Sequence, residues 1–343
     1  MSDKRKTSIK QQRVTLRDIA QKLGVSVATV SRALKNSKEI SPELCERAHQ
    51  LAEEWNYRPN PFAQSLRKGA PKIIGVIVPN IVTHFHSGVI AGIEDRARRD
   101  GYAVICANSR EHYNEEVSRC EELASLHVEG IIASIAQDTT DYDHFLRLRE
   151  MHVPVVFFAR TCLPDLFSSV VADGAEAAFK GTRHLIEKGC QRIAFIGGPN
   201  HLDMVQRRKH GYLEALREAR IAIDRWLVRC DSLTHEAAYR SMQDLLGQEA
   251  RPDGVLAVNN TLIYGAMKAI KDMGWQMPHD IRLIGFTDDK NVEYLSPSVS
   301  SIEDQAHLMG ERSCELLLQS IGGQTVIHHE VVPMRLIFRE SSQ

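Results

Sequence analysis

Seven cysteines, an odd number, are scattered through the 343 residues with no Cys-x-x-Cys pair. That argues against a zinc site and against the disulfide framework of a small secreted domain. They read as small core residues. No apolar run approaches membrane-spanning length, and the opening segment MSDKRKTSIKQQR is polar and basic with no hydrophobic stretch behind it. It does not match a secretory signal, so a cytoplasmic protein without a membrane partner is expected. Also missing are GxGxxG, GxxxxGK[ST], GxSxG and HExxH. Those absences remove the common dinucleotide, P-loop, serine-hydrolase and metalloprotease readings. No catalytic residue and no cofactor is assigned. His84 and His86 form a His-x-His pair, and His328 adjoins His329, yet neither pair has an acidic or cysteine companion at ligand spacing, so no metal is expected.

The overall charge of -1 hides an asymmetry. Residues 1 to 70 hold 14 Lys and Arg against 7 Asp and Glu, and the remainder holds 29 against 37. A basic end on an acidic body suits phosphate neutralisation, where cations released from DNA drive much of the affinity. The length accommodates a small headpiece plus a core with a large apolar interior.

The basic end contains TLRDIAQKLGVSVATVSR, Thr15 to Arg32. Thr15 and Asp18 have capping-box spacing, and Leu16, Ile19, Ala20 and Leu23 recur at helical spacing. Gly24 supplies a turn. Ser26 caps a second helix whose Val30 and Leu34 point inward, leaving Val27, Ala28, Ser31, Arg32 and Lys35 outside. An unpartnered helix would cover that face with long charged side chains. Small apolar residues, hydroxyls from Thr29 and Ser31, and one arginine suit a major groove instead: Ala and Val meet a thymine methyl, and Arg32 can fork onto guanine O6 and N7. Ser41 and Pro42 open a third helix with Leu44, Ala48 and Leu51 on its apolar face. Asn60 and Pro61 then start a hinge of about two turns that is marginal alone in water.

From Lys72 onward, short apolar runs alternate with helical stretches, the signature of parallel strands with crossover helices. IIGVIV (73–78), YAVICA (102–107), EGIIAS (129–134) and PVVFFA (154–159) form a first half. RIAFIGG (192–198), GVLAVN (254–259) and RLIGF (282–286) form a second. Each half opens with a strand that ends in Pro-Asn, at Pro79-Asn80 and Pro199-Asn200, which suggests an internal duplication of one doubly wound lobe. Two such lobes leave a cleft at the carboxyl ends of their strands.

The GVS…TVSR run resembles the lactose/galactose repressor (LacI/GalR) family of bacterial transcription regulators, and the resemblance extends along the whole chain. It implies an α/β protein with an N-terminal three-helix helix-turn-helix headpiece and hinge helix, followed by a two-lobed periplasmic-binding-protein-like core. The headpiece would occupy 1–59, the hinge and linker 60–71, and the core 72–343. Lobe 1 would take about 72–169 and 302–328, and lobe 2 about 170–301 and 329–343. Thr15, Leu16, Ser26, Val27, Ala28, Thr29, Ser31, Arg32, Lys35, Tyr57, Asn60, Ala63 and Leu66 would contact DNA, with Leu66 wedged from the minor groove. The resemblance places Phe85, His86, Arg160, Arg208, Asn259 and Asp288 at the effector. Departures occur: Thr287 stands where a carboxylate is expected, with Asp288 next to it, and Arg160 follows the PVV strand in place of an acidic residue. Fewer carboxylates beside Arg160, Arg207 and Arg208 favour a sugar acid or sugar phosphate over a neutral sugar. The expected partners are a palindromic DNA operator, a small-molecule effector and a second copy of the chain. A small-molecule binding module without a DNA function is the alternative.

Overall fold

A computed structural model describes residues 14–57, 71–324 and 326–343. The chain divides into two units, Met1–Pro71 and Lys72–Gln343.

Among its described residues, the first unit contains three short helices. Helix α1 (Leu16–Leu23) is held by a complete capping box, with the Asp18 carboxylate accepting from the Thr15 amide at 2.7 Å and the Thr15 hydroxyl accepting from the Asp18 amide at 3.4 Å. Gly24 ends it at φ 69°, a left-handed conformation in which a side chain would strain the backbone. In α2 (Val27–Ala33) the Ser26 hydroxyl accepts from the Thr29 amide at 3.1 Å. Pro42 sits in the first turn of α3 (Pro42–Glu54), whose cap is Ser41. Ile19, Ala20, Val30, Ala33, Cys45, Ala48 and Ala52 fill the centre. On α3 the buried stripe is therefore Cys45, Ala48 and Ala52, one position on from Leu44 and Leu51.

The second unit holds two six-stranded sheets of equivalent order. The first is built from β1 (Ile73–Val78), β2 (Ala103–Asn108), β3 (Gly130–Ala133), β4 (Val155–Phe158), β5 (Ser168–Ala172) and β11 (His329–Val332), in the spatial order β2-β1-β3-β4-β5-β11 and parallel throughout. The second uses β6 (Ile193–Gly197), β7 (Val228–Cys230), β8 (Gly254–Ala257), β9 (Arg282–Phe286), β10 (Ser300–Glu303) and β12 (Arg335–Ile337), in the order β7-β6-β8-β9-β10-β12. Only β12 runs antiparallel to its neighbour in that sheet. Central strands such as IIGVIV are buried on both faces, which is why they are continuous apolar runs rather than alternating ones.

The duplication extends to the helices. In lobe 1, α4 (His84–Arg99) follows the first strand and packs against α11 (Ala306–Ile321); in lobe 2, α8 (Asp203–Glu218) does the same against α7 (Gly174–Glu187). Each crossing is close: a Cβ at Gly92 would strike the His307 carbonyl, and one at Gly211 the Ala175 carbonyl. Helices α5 (Tyr113–Ser125), α6 (Asp143–Glu150), α9 (His235–Leu246) and α10 (Asn260–Asp272) complete the layers.

The lobe boundaries differ from the sequence expectation. The chain first leaves lobe 1 after Ala172 rather than near 169, because β5 pairs with β4, and it returns after Glu303, because β10 pairs with β9. His329–Val332 belongs to the first sheet, not to lobe 2, through its ladder with β5. Three segments thus cross between the lobes.

Candidate functional site

On the headpiece, Val27, Ala28, Arg32 and Lys35 are exposed, and Thr29 and Ser31 are half-buried. Val27 keeps 40% of its surface. The exposed Arg32 guanidinium meets an exposed Glu39 carboxylate at 2.8 Å, a contact worth little in stability. Leu16 and Tyr57 pack instead against the cluster around Ile19 and Val30, so they frame the headpiece rather than project from α2. Thr15 and Ser26 are exposed caps whose oxygens already serve the helix ends. Asn60, Ala63 and Leu66, with the hinge helix, lie outside the described residues.

In the core, a cavity of about 450 Å³ lies between the lobes, and its wall includes Phe85, His86, Arg160, Arg208, Asn259 and Asp288. Phe85 and His86 come from the first turn of α4, where Thr83 caps the helix and its hydroxyl sits 2.7 Å from His86 Nδ1. Burial, reinforced by the nearby Arg160 charge, pushes the His86 imidazole down to about 3, so it is neutral at any ordinary pH. Asn259 caps α10, its Oδ1 accepting from the Leu262 amide at 2.9 Å, which leaves its amide nitrogen as the group it can offer.

The charges are arranged in pairs. Arg160 forks onto Glu111 at 2.7 and 3.0 Å, and a further N–H reaches the Ile135 carbonyl. Glu111 is presented by two successive left-handed residues, Arg110 and Glu111, at φ 53° and 63°. Burial alone would raise its carboxyl, but the Arg160 guanidinium holds it below the usual range. Arg207 binds Asp203 at 2.8 Å. Arg208, itself buried, donates to Asp304 at 2.6 Å and to the Val258 carbonyl, with its guanidinium carbon 3.8 Å from the Phe286 ring centre. Asp288 accepts from the Ala306 amide at 3.1 Å. Burial, then the neighbouring Asp304 charge, pushes its carboxyl up to about 7.

All six sequence candidates therefore meet on one cavity. Sequence reasoning missed Glu111, Ser134, Gln137, Phe286 and Asp304, which line the same wall. Two buried atoms there, Ser134 Oγ and Arg208 Nε, have no hydrogen-bond partner among the described residues. Both atoms are closed off from solvent, so they lie behind the cavity surface rather than on it.

A helix-turn-helix with a bare outer face, followed by a two-lobed core around a polar cleft, defines a DNA-binding regulator that carries its own sensor module. Residues 15–60 match the family model for bacterial regulatory proteins of the lacI family, and residues 182–342 match the periplasmic binding protein-like domain. The ribose operon repressor of Bacillus subtilis (strain 168) is 32% identical over 330 residues, 96% of this chain and 98% of that one. Among solved structures, the Lac repressor dimer bound to operator and an anti-inducer is 25% identical with a TM-score of 0.80, covering 96% of this chain and 99% of that chain. A transcriptional regulator CelR–cellobiose complex is 27% identical with a TM-score of 0.73, covering 96% and 100%. The chain belongs to the LacI family of bacterial transcription regulators and is not an enzyme. Among the described residues, no helix is long and apolar enough to cross a membrane.

Proposed function

We propose that this protein is a repressor of carbohydrate-related genes that binds a palindromic operator as a dimer and is controlled by an uncharged, polyhydroxylated effector in the interlobe cleft. The charge balance of the cleft carries the effector class. Arg160, Arg207 and Arg208 each already hold a carboxylate. An anionic sugar held by Arg160 or Arg208 would have to displace Glu111 or Asp304 and leave a largely buried carboxylate unpaired, which costs several kcal/mol; only the exposed Arg207–Asp203 pair would give way cheaply. A neutral sugar can hydrogen-bond to the Asn259 amide nitrogen and to the rims of these pairs without breaking one. A volume of about 450 Å³ suits a mono- or disaccharide. This reading replaces the sugar acid or sugar phosphate favoured by motif positions alone.

The DNA reading rests on the exposed face of α2, with Arg32 as base reader and Val27 and Ala28 against thymine methyls. Two copies would set their α2 helices in successive major grooves. The test is selection of bound duplexes from a random pool by the full-length protein. Release is then titrated with pentoses, hexoses and disaccharides, beside gluconate and glucose 6-phosphate. An enriched palindrome whose complex responds to a neutral sugar supports the reading. A response to the anionic sugars alone overturns the effector class, and failure to enrich any palindrome overturns the α2 assignment.

A further inference from the structure

Gln137, on the loop after β3, touches lobe 2 twice. Its side-chain Oε1 accepts from the Leu233 amide at 3.0 Å, and its main-chain carbonyl lies 2.7 Å from His201 Nε2. Leu233 precedes α9 and His201 precedes α8, so one residue of lobe 1 grips two separate loops of lobe 2. On the opposite rim, His84 meets Asp289 and Asn291 only at 3.4 Å, at the long end of hydrogen-bond geometry.

The loop bearing Gln137 is fixed from behind. Glu116, fully buried on α5, accepts from the Ala136 amide at 2.6 Å and the Thr139 hydroxyl at 2.9 Å, and lies 3.0 Å from His144 Nε2. The Gln137 amide donates to Glu111 at 2.9 Å, the same carboxylate that holds Arg160 in the cavity wall. A loop anchored this way cannot follow lobe 2 as the cleft opens, so opening must break both bonds. We infer that Gln137 is a clasp that sets the open–closed equilibrium of the cleft and, through Glu111 and Arg160, couples it to whatever occupies the cavity. Gln137 acts here as a positioning residue. The clasp deepens the reading of the cleft as an effector site, but its test needs no effector, so failure of one is told apart from failure of the other.

The experiment is amide hydrogen exchange on the full-length protein without added ligand, comparing wild type with Gln137→Met and His201→Phe. The first removes the acceptor at similar size. The second removes the donor on an exposed rim of lobe 2 and leaves the lobe 1 loop untouched. Loss of a hydrogen bond that gates a local opening should speed exchange in peptides spanning 231–236 about five- to tenfold in Gln137→Met and at least about twofold in His201→Phe. Peptides covering β3 should keep wild-type rates, which separates clasp release from unfolding. An unchanged rate at 231–236 in Gln137→Met overturns the clasp. A rise that His201→Phe fails to reproduce overturns the two-point grip.

Discussion

Replacing Asp288 with Asn should make the core more stable at pH 8, with the gain shrinking steadily as the pH falls towards 4. The carboxyl of Asp288 is largely buried beside Asp304, and its proton affinity rises from 3.8 to about 7. The folded protein therefore binds more protons than the unfolded chain between about pH 4 and pH 7, and stability must fall as pH rises through that window and level off above it. Each tenfold change in proton affinity is worth about 1.4 kcal/mol, so the full effect has a ceiling of roughly 4 kcal/mol. Water entering the cleft mouth screens the charge and brings the expected loss to about 1–2 kcal/mol. Asn keeps an oxygen for the Ala306 amide, now 3.1 Å from Asp288, and removes only the titrating charge. Scanning calorimetry of both full-length proteins at half-unit steps from pH 5 to 8.5 measures this, because subtraction cancels the titration of other groups. A gain for Asp288→Asn of about 2–5 °C at pH 8 that shrinks to roughly a third of that at pH 5 is expected. Parallel wild-type and Asp288→Asn curves would refute the claim that this carboxyl holds a proton near neutrality.

Arg32→Ala should cost about 1–3 kcal/mol of discrimination between operator and mismatched duplex with an unchanged melting curve, since its pair with Glu39 is exposed at both ends. Operator competition assays measure this, and full retention of discrimination would assign reading to other residues. Arg208→Ala should lower the core transition by the equivalent of about 3 kcal/mol, because Asp304 is left buried without its partner. Adding Asp304→Leu should recover a good part, and calorimetry of the two variants checks the coupling. Gly92→Val should destabilise lobe 1 by about 2 kcal/mol or more, as its side chain would drive α4 off the His307 carbonyl; equal melting temperatures would show that the helices can separate there at no cost.

What the sequence disclosed follows from the range of each interaction. The headpiece was legible because a capping box four residues long, a left-handed glycine and a serine cap all act within one turn. The buried parallel strands were legible because burial on both faces demands unbroken apolar runs. The strands β5 and β10 begin with Ser-Ser and escaped that signal. Their hydroxyls are satisfied by distant backbone and side chains: Ser168 by the His328 amide, Ser169 by His329 and Ser300 by Ser342. Periodicity cannot register a polar strand whose partners lie 42 or 160 residues away.

The same logic applies to the charge of the cleft. Counting carboxylates at motif positions made the cleft seem basic, since Arg160 and Arg208 sit in recognisable runs. Their partners do not: Glu111 is 49 residues from Arg160, on a turn with no periodic signature, and Asp304 is 96 residues from Arg208, at a crossing between lobes. A guanidinium buried in a cleft needs a counter-charge within hydrogen-bond reach or it is too costly to keep there. Each buried arginine at such a site therefore implies an acid that the sequence has not yet located, and the sign of the pocket should be assigned only after that acid has been found.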